Sequence, residues 1–448
     1  MTARTRHTLA AVGIVFVALS FAYGAGWPDV SRLALTQSVA YDGTLRIDRF
    51  APQTQDRADF GGHSYSDKAP GISFLGLPSL EAARALGAVG PEERTRGIWH
   101  DRWLLWALRA LTGGLAFVAS LALAAVAARR VASDTAPVVA ATVGLATMAL
   151  PMAATVFSHL AAASLAFGAF LLAWRGAERA WLGAGAAAGA ALVCEYQAAL
   201  AAAIVLVYLV SQTRSARALA LYAAGAAPFV AALAVYNAKA FGSPQHFSYR
   251  YVTGTFPQQH RGFFGLGVPS VGALAHTLFG HRGLFVVSPV LLLAVAGLVL
   301  LFRRGLRAEA VTAGAVVVAF VVVAAGYFDP YGGLSPGPRF FAPALLFLAL
   351  GLPEAYRRWP LPTAAVAALS AVATLFEAGT WGPNFDWSTV WWWAGAPRHL
   401  AFAAVALVAA GAAALVAPDV GTLKASGRTR RLPGSSRTPA PRAPGSGG

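Results

Sequence analysis

The sequence predicts an all-α polytopic membrane protein with about twelve transmembrane helices, within a range of eleven to thirteen. Composition is the first reason, because 57% of the 448 residues are hydrophobic and only 12% are charged. A soluble core does not absorb that much apolar surface. The second reason is that apolar runs of membrane-spanning length recur along the chain. The third is that basic and acidic residues fall on opposite sides of these runs.

The apolar runs define the predicted spans. The first, residues 8–24, follows Arg4 and Arg6 and is interpreted as an uncleaved helix, with a cleaved signal peptide as the alternative. Residues 71–88 are apolar but contain Glu81 and Arg84, which favours an interfacial helix over a thirteenth span. The other predicted spans are residues 103–128, 135–151, 156–174, 179–194, 196–211, 217–236, 283–302, 309–327, 340–355, 360–377 and 398–417.

The charges between the spans predict the topology. Short loops on the side of the N-terminus contain Arg129, Arg130, Arg175, Arg179, Arg214, Arg217, Arg303, Arg304, Arg307, Arg357 and Arg358. The opposite side contains Asp29, Asp42, Asp48, Asp56, Asp59, Asp67, Asp329 and Asp386. The positive-inside rule therefore places both termini in the cytoplasm of a multi-pass protein of the plasma (inner) membrane. We expect a transmembrane domain of residues 1–417 and a disordered basic cytoplasmic tail of residues 418–448.

Several function classes find no support in the sequence. A formal charge of +16 would suggest nucleic acid in a soluble protein, but here the charge follows the membrane topology. The chain has no phosphate-binding G-x-x-x-x-G-K-[ST] motif, no H-E-x-x-H and no G-x-S-x-G. With one cysteine, Cys194, no disulfide forms within the chain. The sequence therefore predicts neither soluble nucleotide-driven chemistry nor a nucleic-acid partner.

Polar chemistry is concentrated in the predicted outer loops, above all in residues 25–102, which we call the first loop. Asp29 lies just beyond the first span. It is either a solvated surface carboxylate or a general base, which needs a carboxylate held where water is scarce. Residues 31–41 mix apolar and polar positions, which predicts an amphipathic interfacial helix that holds Asp29 at a fixed depth.

Two cations in the outer loops are candidates for binding phosphate. Lys68 precedes the turn at Pro70 and Gly71, which points the preceding side chains in a defined direction. Asp67 beside it either pairs with Lys68 or binds a cation. Arg339 closes a loop rich in proline and glycine, and its guanidinium offers paired hydrogen bonds to phosphate oxygens. The alternatives are a solvated lysine and an arginine that reaches to the lipid headgroups.

Other polar residues are ambiguous. His159 is either a metal or phosphate ligand or, more simply, a structural histidine at a helix end. Glu195 lies between two short apolar runs and is either a surface turn or a costly intramembrane carboxylate, which would be functional. The tryptophans of the loop at 379–398 are typical of the aromatic belt, with sugar stacking as the alternative.

Taken together, these features resemble the GT-C superfamily of membrane glycosyltransferases, which take sugar from a polyprenyl phosphate. The protein O-mannosyltransferases and the aminoarabinose transferases of lipid A are members. They have an acidic residue after the first span, three residues before an arginine, as in Asp29 and Arg32 here, and a turn similar to Asp67–Gly71. A broader set of uncharacterised bacterial members is similar in the segments 65–71, 157–159, 236–244 and 337–340.

The resemblance implies the fold, the donor and the roles of the site residues. A sugar would pass from a polyprenyl-phosphate donor to an acceptor hydroxyl at the outer face, with inversion. Asp29 would be the catalytic base, and Lys68 and Arg339 would bind the donor phosphate. Supporting roles are expected for Arg32, Tyr65, Asp67, His159, Asp329 and Tyr331. No cofactor is required by the residues, and the resemblance leaves a divalent metal open.

Two other functions fit the same membrane architecture. The first is a transporter or flippase of a lipid-linked or anionic substrate, which would place ionisable residues near the middle of the membrane. Here the spans are largely Ala, Val, Leu and Gly, and the polar residues lie in the outer loops, which favours an enzyme. The second is a non-catalytic relative that acts as a scaffold.

Overall fold

The computed structural model describes residues 2–20, 24–253, 257–260 and 262–380. Within these ranges the chain is helical apart from a single antiparallel hairpin. The predicted span at residues 398–417 and the basic tail lie outside the described residues. The same holds for the predicted aromatic loop from residue 381 onward.

The elements follow one another closely. The first loop contains α2 (Trp27–Asp42), β1 (Arg57–Phe60), β2 (His63–Ser66), α3 (Gly71–Ala85) and α4 (Pro91–Arg96), after α1 (Ala3–Ser20). The next helices are α5 (Arg102–Arg109), α6 (Leu115–Val131), α7 (Ala136–Leu145), α8 (Ala149–Ala153), α9 (His159–Trp174), α10 (Glu178–Cys194), α11 (Ala198–Thr213) and α12 (Ala216–Phe241). The last are α13 (Val271–Phe279), α14 (Leu284–Val287), α15 (Val290–Arg303), α16 (Arg307–Gly326), α17 (Leu345–Ala349), α18 (Leu352–Arg358) and α19 (Pro360–Thr380).

The helices account for the predicted apolar runs. Each run between residues 8 and 377 coincides with one helix or with consecutive helices, such as α7 and α8 for residues 135–151. Among the described residues, 4 helices are long and apolar enough to cross a membrane, or 6 if each bent pair is one span. The protein is therefore a helical membrane protein, and its count of about twelve spans stays a prediction.

Helix α2 begins earlier than the sequence predicts and is more fully buried. Pro28 occupies its first turn, where the missing N–H costs nothing, and Gly43 ends it in the left-handed conformation. A helix is confirmed here, but the expected amphipathic pattern, with one exposed polar face, is wrong; its interfacial position stays a prediction. Every residue from Asp29 to Ser38 is buried. The polar ones are tolerated because they find partners, such as the backbone carbonyls of Glu93 and Arg94 that accept hydrogen bonds from Gln37.

Helices α10 and α12 pack at very short distance because glycines face each other's backbones. A Cβ atom at Gly185 would overlap the carbonyl oxygen of Tyr222, and one at Gly225 would overlap that of Leu182. Small residues at such contacts let membrane helices approach closely. This contact holds α10, the helix that ends just before Glu195, against α12.

We expect Gly185→Ala to lower the melting temperature of the purified protein in detergent, because the methyl group forces the two backbones apart. Overpacking of this kind costs about 1–3 kcal/mol. Gly183→Ala in the same helix is the matched control, since its Cβ would meet only a side-chain methyl of Leu172 at 3.4 Å. Equal melting temperatures for the two variants would contradict the close contact.

Candidate functional site

A cavity of about 530 Å³ lies between the start of α2 and the loop that precedes α17. It is lined in part by apolar and backbone groups, including Trp27, Phe157, Tyr327 and Leu334. Its charged lining comprises Asp29, Asp56, Arg282, Asp329, Arg339 and Glu377. Two of the three principal residues predicted from the sequence, Asp29 and Arg339, therefore face the same space.

Asp29 is held by three donors. One carboxylate oxygen, Oδ1, accepts the N–H of Val156 at 2.8 Å. The other, Oδ2, accepts the N–H of Gly26 at 3.2 Å and a guanidinium N–H of Arg109 at 3.1 Å. The carboxylate is 2% exposed, so the structure selects the buried alternative over the solvated one. Its position in the first turn of α2 also places negative charge at the positive end of a helix.

Arg109 explains how a charge is accommodated inside an apolar bundle. It ends α5 and is 1% exposed, and it also donates to the carbonyl of Gly24 at 2.7 Å. The chain then continues through a π-helical turn, Ala110–Gly114, before α6 begins. Such turns insert an extra residue into a helix and are frequent at functional sites. The ion pair ties the first long span to the start of α2.

Arg339 lines the cavity, and its guanidinium has no hydrogen-bond partner among the described residues. Its guanidinium lies 5.3 Å from the ring centres of both Phe157 and Phe340. Its Nε is buried without a hydrogen-bond partner, and among the described residues no carboxylate lies within 4 Å of it. A cation placed against aromatic faces and left without a counter-anion is suited to receive an anionic ligand.

The loop that presents Arg339 is rigid. Asp329 accepts the N–H groups of Tyr331 at 3.1 Å and Gly333 at 2.6 Å. Gly332 and Gly333 have positive φ angles, which lets the chain turn inside this short loop. Tyr331 is 2% exposed, and its hydroxyl donates a hydrogen bond to the carbonyl of His276 at 3.2 Å, which ties the loop to α13.

Arg282 strengthens this loop and reaches the cavity as well. One guanidinium N–H group donates to the carbonyls of Gly333 at 3.0 Å and Ser335 at 3.3 Å. The guanidinium also lies 4.5 Å from the ring centre of Tyr331. The cavity is thus lined by two arginines as well as by Asp29.

Lys68 does not line the cavity, but it contacts a residue that does. Its ammonium group is 2.7 Å from Oδ2 of Asp67 and 3.1 Å from Oδ2 of Asp56, and Asp56 lines the cavity. The first of the two expected roles of Asp67, pairing with Lys68, is therefore present. Burial raises the pKa of Asp67, an effect that the adjacent Lys68 opposes.

The turn that carries Lys68 approaches the end of α10 directly. A Cβ at Gly71 would lie 2.8 Å from the backbone nitrogen of Cys194 and the carbonyl oxygen of Val193. Only glycine fits at that distance. The turn predicted from Pro70 and Gly71 thus anchors Lys68 against the bundle.

A buried polar cluster joins α2, α9 and α10. Glu195 is 2% exposed and accepts from the hydroxyl of Ser158. Its Oε1 lies 2.5 Å from Nδ1 of His159 and 3.6 Å from a guanidinium nitrogen of Arg32, which also donates to Ser158 at 3.1 Å. Glu195 is therefore not a surface turn. The cluster fixes the segment 155–159, whose Val156 N–H holds Asp29.

Tyr65 is structural. It lies in β2 with its ring 5.3 Å from that of Phe241, and it is not among the residues that line the cavity. Within the described ranges, no group of three or more His, Cys, Asp and Glu side chains is arranged to hold a metal.

Sequence reasoning missed three residues of the site. Arg109 was visible as a rare charge inside a span, a signal that calls for a buried partner, but the partner is 80 residues away. Asp56 and Arg282 resemble ordinary loop charges, and only the folded chain brings them to the cavity.

The fold and the site together define a helical membrane protein whose polar cavity is built from its long first loop and a later glycine-rich loop. Solved structures of ArnT have a similar architecture. The chain is similar to ArnT from Cupriavidus metallidurans in the apo state, with a TM-score of 0.55 and 17% identity over 93% of this chain and 72% of that one. For ArnT bound to undecaprenyl phosphate the TM-score is 0.53 and the identity 16%, over 94% and 72%.

The Archaeoglobus fulgidus oligosaccharyltransferase in the apo form gives a TM-score of 0.45 and 14% identity, over 90% of this chain and 59% of that one. The sequence matches no protein-family model and no curated protein. The likeness to ArnT shows that this chain has the GT-C fold, which confirms the resemblance predicted from the sequence.

We expect Arg109→Met to destabilise the protein by about 3–5 kcal/mol, because Asp29 would be left buried with its charge uncompensated. Unfolding measured by a thermal or denaturant scan in detergent tests this. The double variant Arg109→Met with Asp29→Asn should recover part of the loss, since no charge is then left unpaired. A double variant less stable than Arg109→Met alone would show that the ion pair does not account for the loss.

Proposed function

We propose that this protein is a glycosyltransferase that moves a sugar from a polyprenyl-phosphate donor to an acceptor hydroxyl at the outer face of the membrane. The observation that carries the proposal is the cavity that Asp29, Arg339 and Arg282 line together. The shared fold with ArnT, solved with undecaprenyl phosphate bound, supports a lipid-linked donor. Both termini are proposed to be cytoplasmic, as the positive-inside pattern predicts.

The arginines that line the cavity suit the departing phosphate. A sugar attached to phosphate already has a stabilised leaving group, so a general acid is not needed to protonate it. Catalysis then requires cations aimed at the charge that develops as the bond breaks. Arg339 supplies a guanidinium that has no carboxylate partner among the described residues, and Lys68 contacts Asp56, which lines the cavity.

Asp29 is proposed as the base for the acceptor hydroxyl. An ionised carboxylate accepts up to about four hydrogen bonds, and three positions are occupied by Gly26, Arg109 and Val156. The remaining position is available to a hydroxyl bound in the cavity. Direct displacement of the phosphate by that hydroxyl inverts the anomeric centre.

The transport alternative is less well supported by the same observations. Broken helices of transporters coordinate substrate with ionisable residues and exposed backbone. In this chain, the break between α14 and α15 is at Ser288, whose hydroxyl oxygen accepts the N–H of Met148 at 3.2 Å. The break between α17 and α18 is at Gly351, which packs directly against Gly297. Both breaks are thus sealed by packing, while the charged cavity lies beside the first loop.

Donor binding is tested by native mass spectrometry of the purified protein with added undecaprenyl phosphate. We expect a bound lipid in the wild type and its loss in Lys68→Ala and in Arg339→Ala, because each removes a cation from the phosphate. Arg49→Ala is the control, since Arg49 forms an exposed pair with Asp42 on the same loop. If the lipid binds all four proteins equally, the donor site is elsewhere.

The catalytic role is tested with Asp29→Asn. The variant should bind the donor as the wild type does but lose transfer by about a hundredfold or more, the usual contribution of a general base. The assay follows sugar release from a labelled lipid donor in the presence of membrane acceptor, with Asp42→Asn as control. Near-normal turnover of Asp29→Asn would exclude Asp29 as the base.

A further inference from the structure

Lys68 is the cation in a cluster with two carboxylates. A single ammonium group lies within 3.1 Å of two carboxylates, Asp56 and Asp67. All three residues are buried, at 7%, 6% and 1% exposure. Within the described residues these two are the only carboxylates within 4 Å of Lys68. The proposed phosphate-binding lysine is therefore already neutralised by the protein.

The two carboxylates are not equivalent. Asp67 is fixed, because Lys68 follows it directly in the chain, its backbone carbonyl accepts the hydroxyl of Ser248 at 2.7 Å, and it lies 2.7 Å from the ammonium. Asp56 has the longer contact, 3.1 Å, and is one of the residues that line the cavity. Asp56 is thus the partner that borders open space into which it can move.

Charge balance decides what happens when a phosphate arrives. If both carboxylates stayed in place, one ammonium would face three anions in a site with little water, and like charges at such distances repel strongly. If the phosphate takes the position of Asp56, the number of anions around Lys68 is unchanged. Replacing Asp56 with the phosphate therefore costs less free energy than adding the phosphate as a third anion.

We infer that Asp56 is a further residue of the donor site, the resident anion of Lys68 that a lipid phosphate replaces on binding and that returns when the phosphate leaves. The inference rests on the proposed function, because it takes Lys68 as a phosphate ligand. It adds a role for Asp56 that Lys68 and Arg339 do not have. Asp56 lowers the affinity of the site for every phosphate, the product included, and so favours product release.

A purely structural role for Asp56 makes the opposite prediction. If the carboxylate only held the loop before β1 in place, its removal would loosen Lys68 and weaken phosphate binding. If it competes with phosphate, its removal leaves Lys68 paired to Asp67 but open towards the cavity, and binding becomes tighter. The sign of the change in affinity separates the two roles.

The experiment measures the dissociation constant of undecaprenyl phosphate for the full-length protein in detergent, with Asp56→Asn as the test variant. We expect binding about tenfold tighter than in the wild type, the size of one lost charge contact. Asp42→Asn controls for a general change in charge, since it removes an exposed acid from the same loop. Unchanged or weaker binding by Asp56→Asn, or equal tightening by Asp42→Asn, overturns the inference.

A double-mutant cycle tests the contact itself. In the background of Lys68→Met, the change Asp56→Asn should no longer tighten binding, because the ammonium for which the two anions compete is gone. Persistence of the full effect in that background also overturns the inference. Asp56→Ser, whose side chain is shorter, provides a second variant if Asp56→Asn folds poorly.

Failure of the proposed function gives a different pattern. If Lys68→Met and the wild type bind undecaprenyl phosphate equally, Lys68 is not part of the donor site and both proposals fail. If Lys68→Met loses binding while Asp56→Asn leaves it unchanged, the donor site stands and the exchange role of Asp56 is removed.

Discussion

The buried ion pair between Asp29 and Arg109 is the contact on which the site depends. Both side chains are almost fully enclosed, and their N–O distance is 3.1 Å. A single charge in such a place is costly, so neither residue is stable there alone. The pair therefore fixes the first turn of α2 against α5, and it does so next to the cavity. The position of the proposed base follows from how the chain neutralises a charge inside its bundle.

The same rule explains the rest of the polar interior. Arg32 and Glu195 meet beside Ser158, and Lys68 meets Asp56 and Asp67. Each of these clusters joins the first loop to a helix end or to itself, so that a long polar segment becomes a rigid part of the bundle. Arg339 departs from the rule, since among the described residues its guanidinium has neither a hydrogen-bond partner nor a carboxylate within 4 Å. Arg32, Lys68 and Arg109 have carboxylate partners and Arg282 donates to backbone carbonyls, so Arg339 is the cation at which an external anion fits best.

Much of this arrangement was predictable from the sequence, because apolar length and charge position are local properties. The helices could be derived from them, and so could Asp29 and Arg339 as candidates for one site. The burial of α2 could not, since its polar residues are buried only through partners such as Ser66 and Glu93. Tyr65 appeared in a motif with Lys68 but packs on Phe241, because alternate residues of a strand face opposite ways. Arg109 and Asp56 required contacts that no local pattern contains.

Among the described residues, Lys68 is paired with carboxylates and Arg339 is not, and this difference has a chemical rationale. The proposed donor is a phosphate diester with one negative charge, and the lipid phosphate that its reaction would release carries about −1.5 to −2 at neutral pH. A site built only from unpaired cations would bind the product more tightly than the donor and would slow each turnover. Binding energy raises the rate only when it is greater in the transition state than in the bound states around it. In the proposed site, a lysine that carries its own counter-anion, together with an arginine that does not, would bind the product less tightly while keeping positive charge available as the bond breaks.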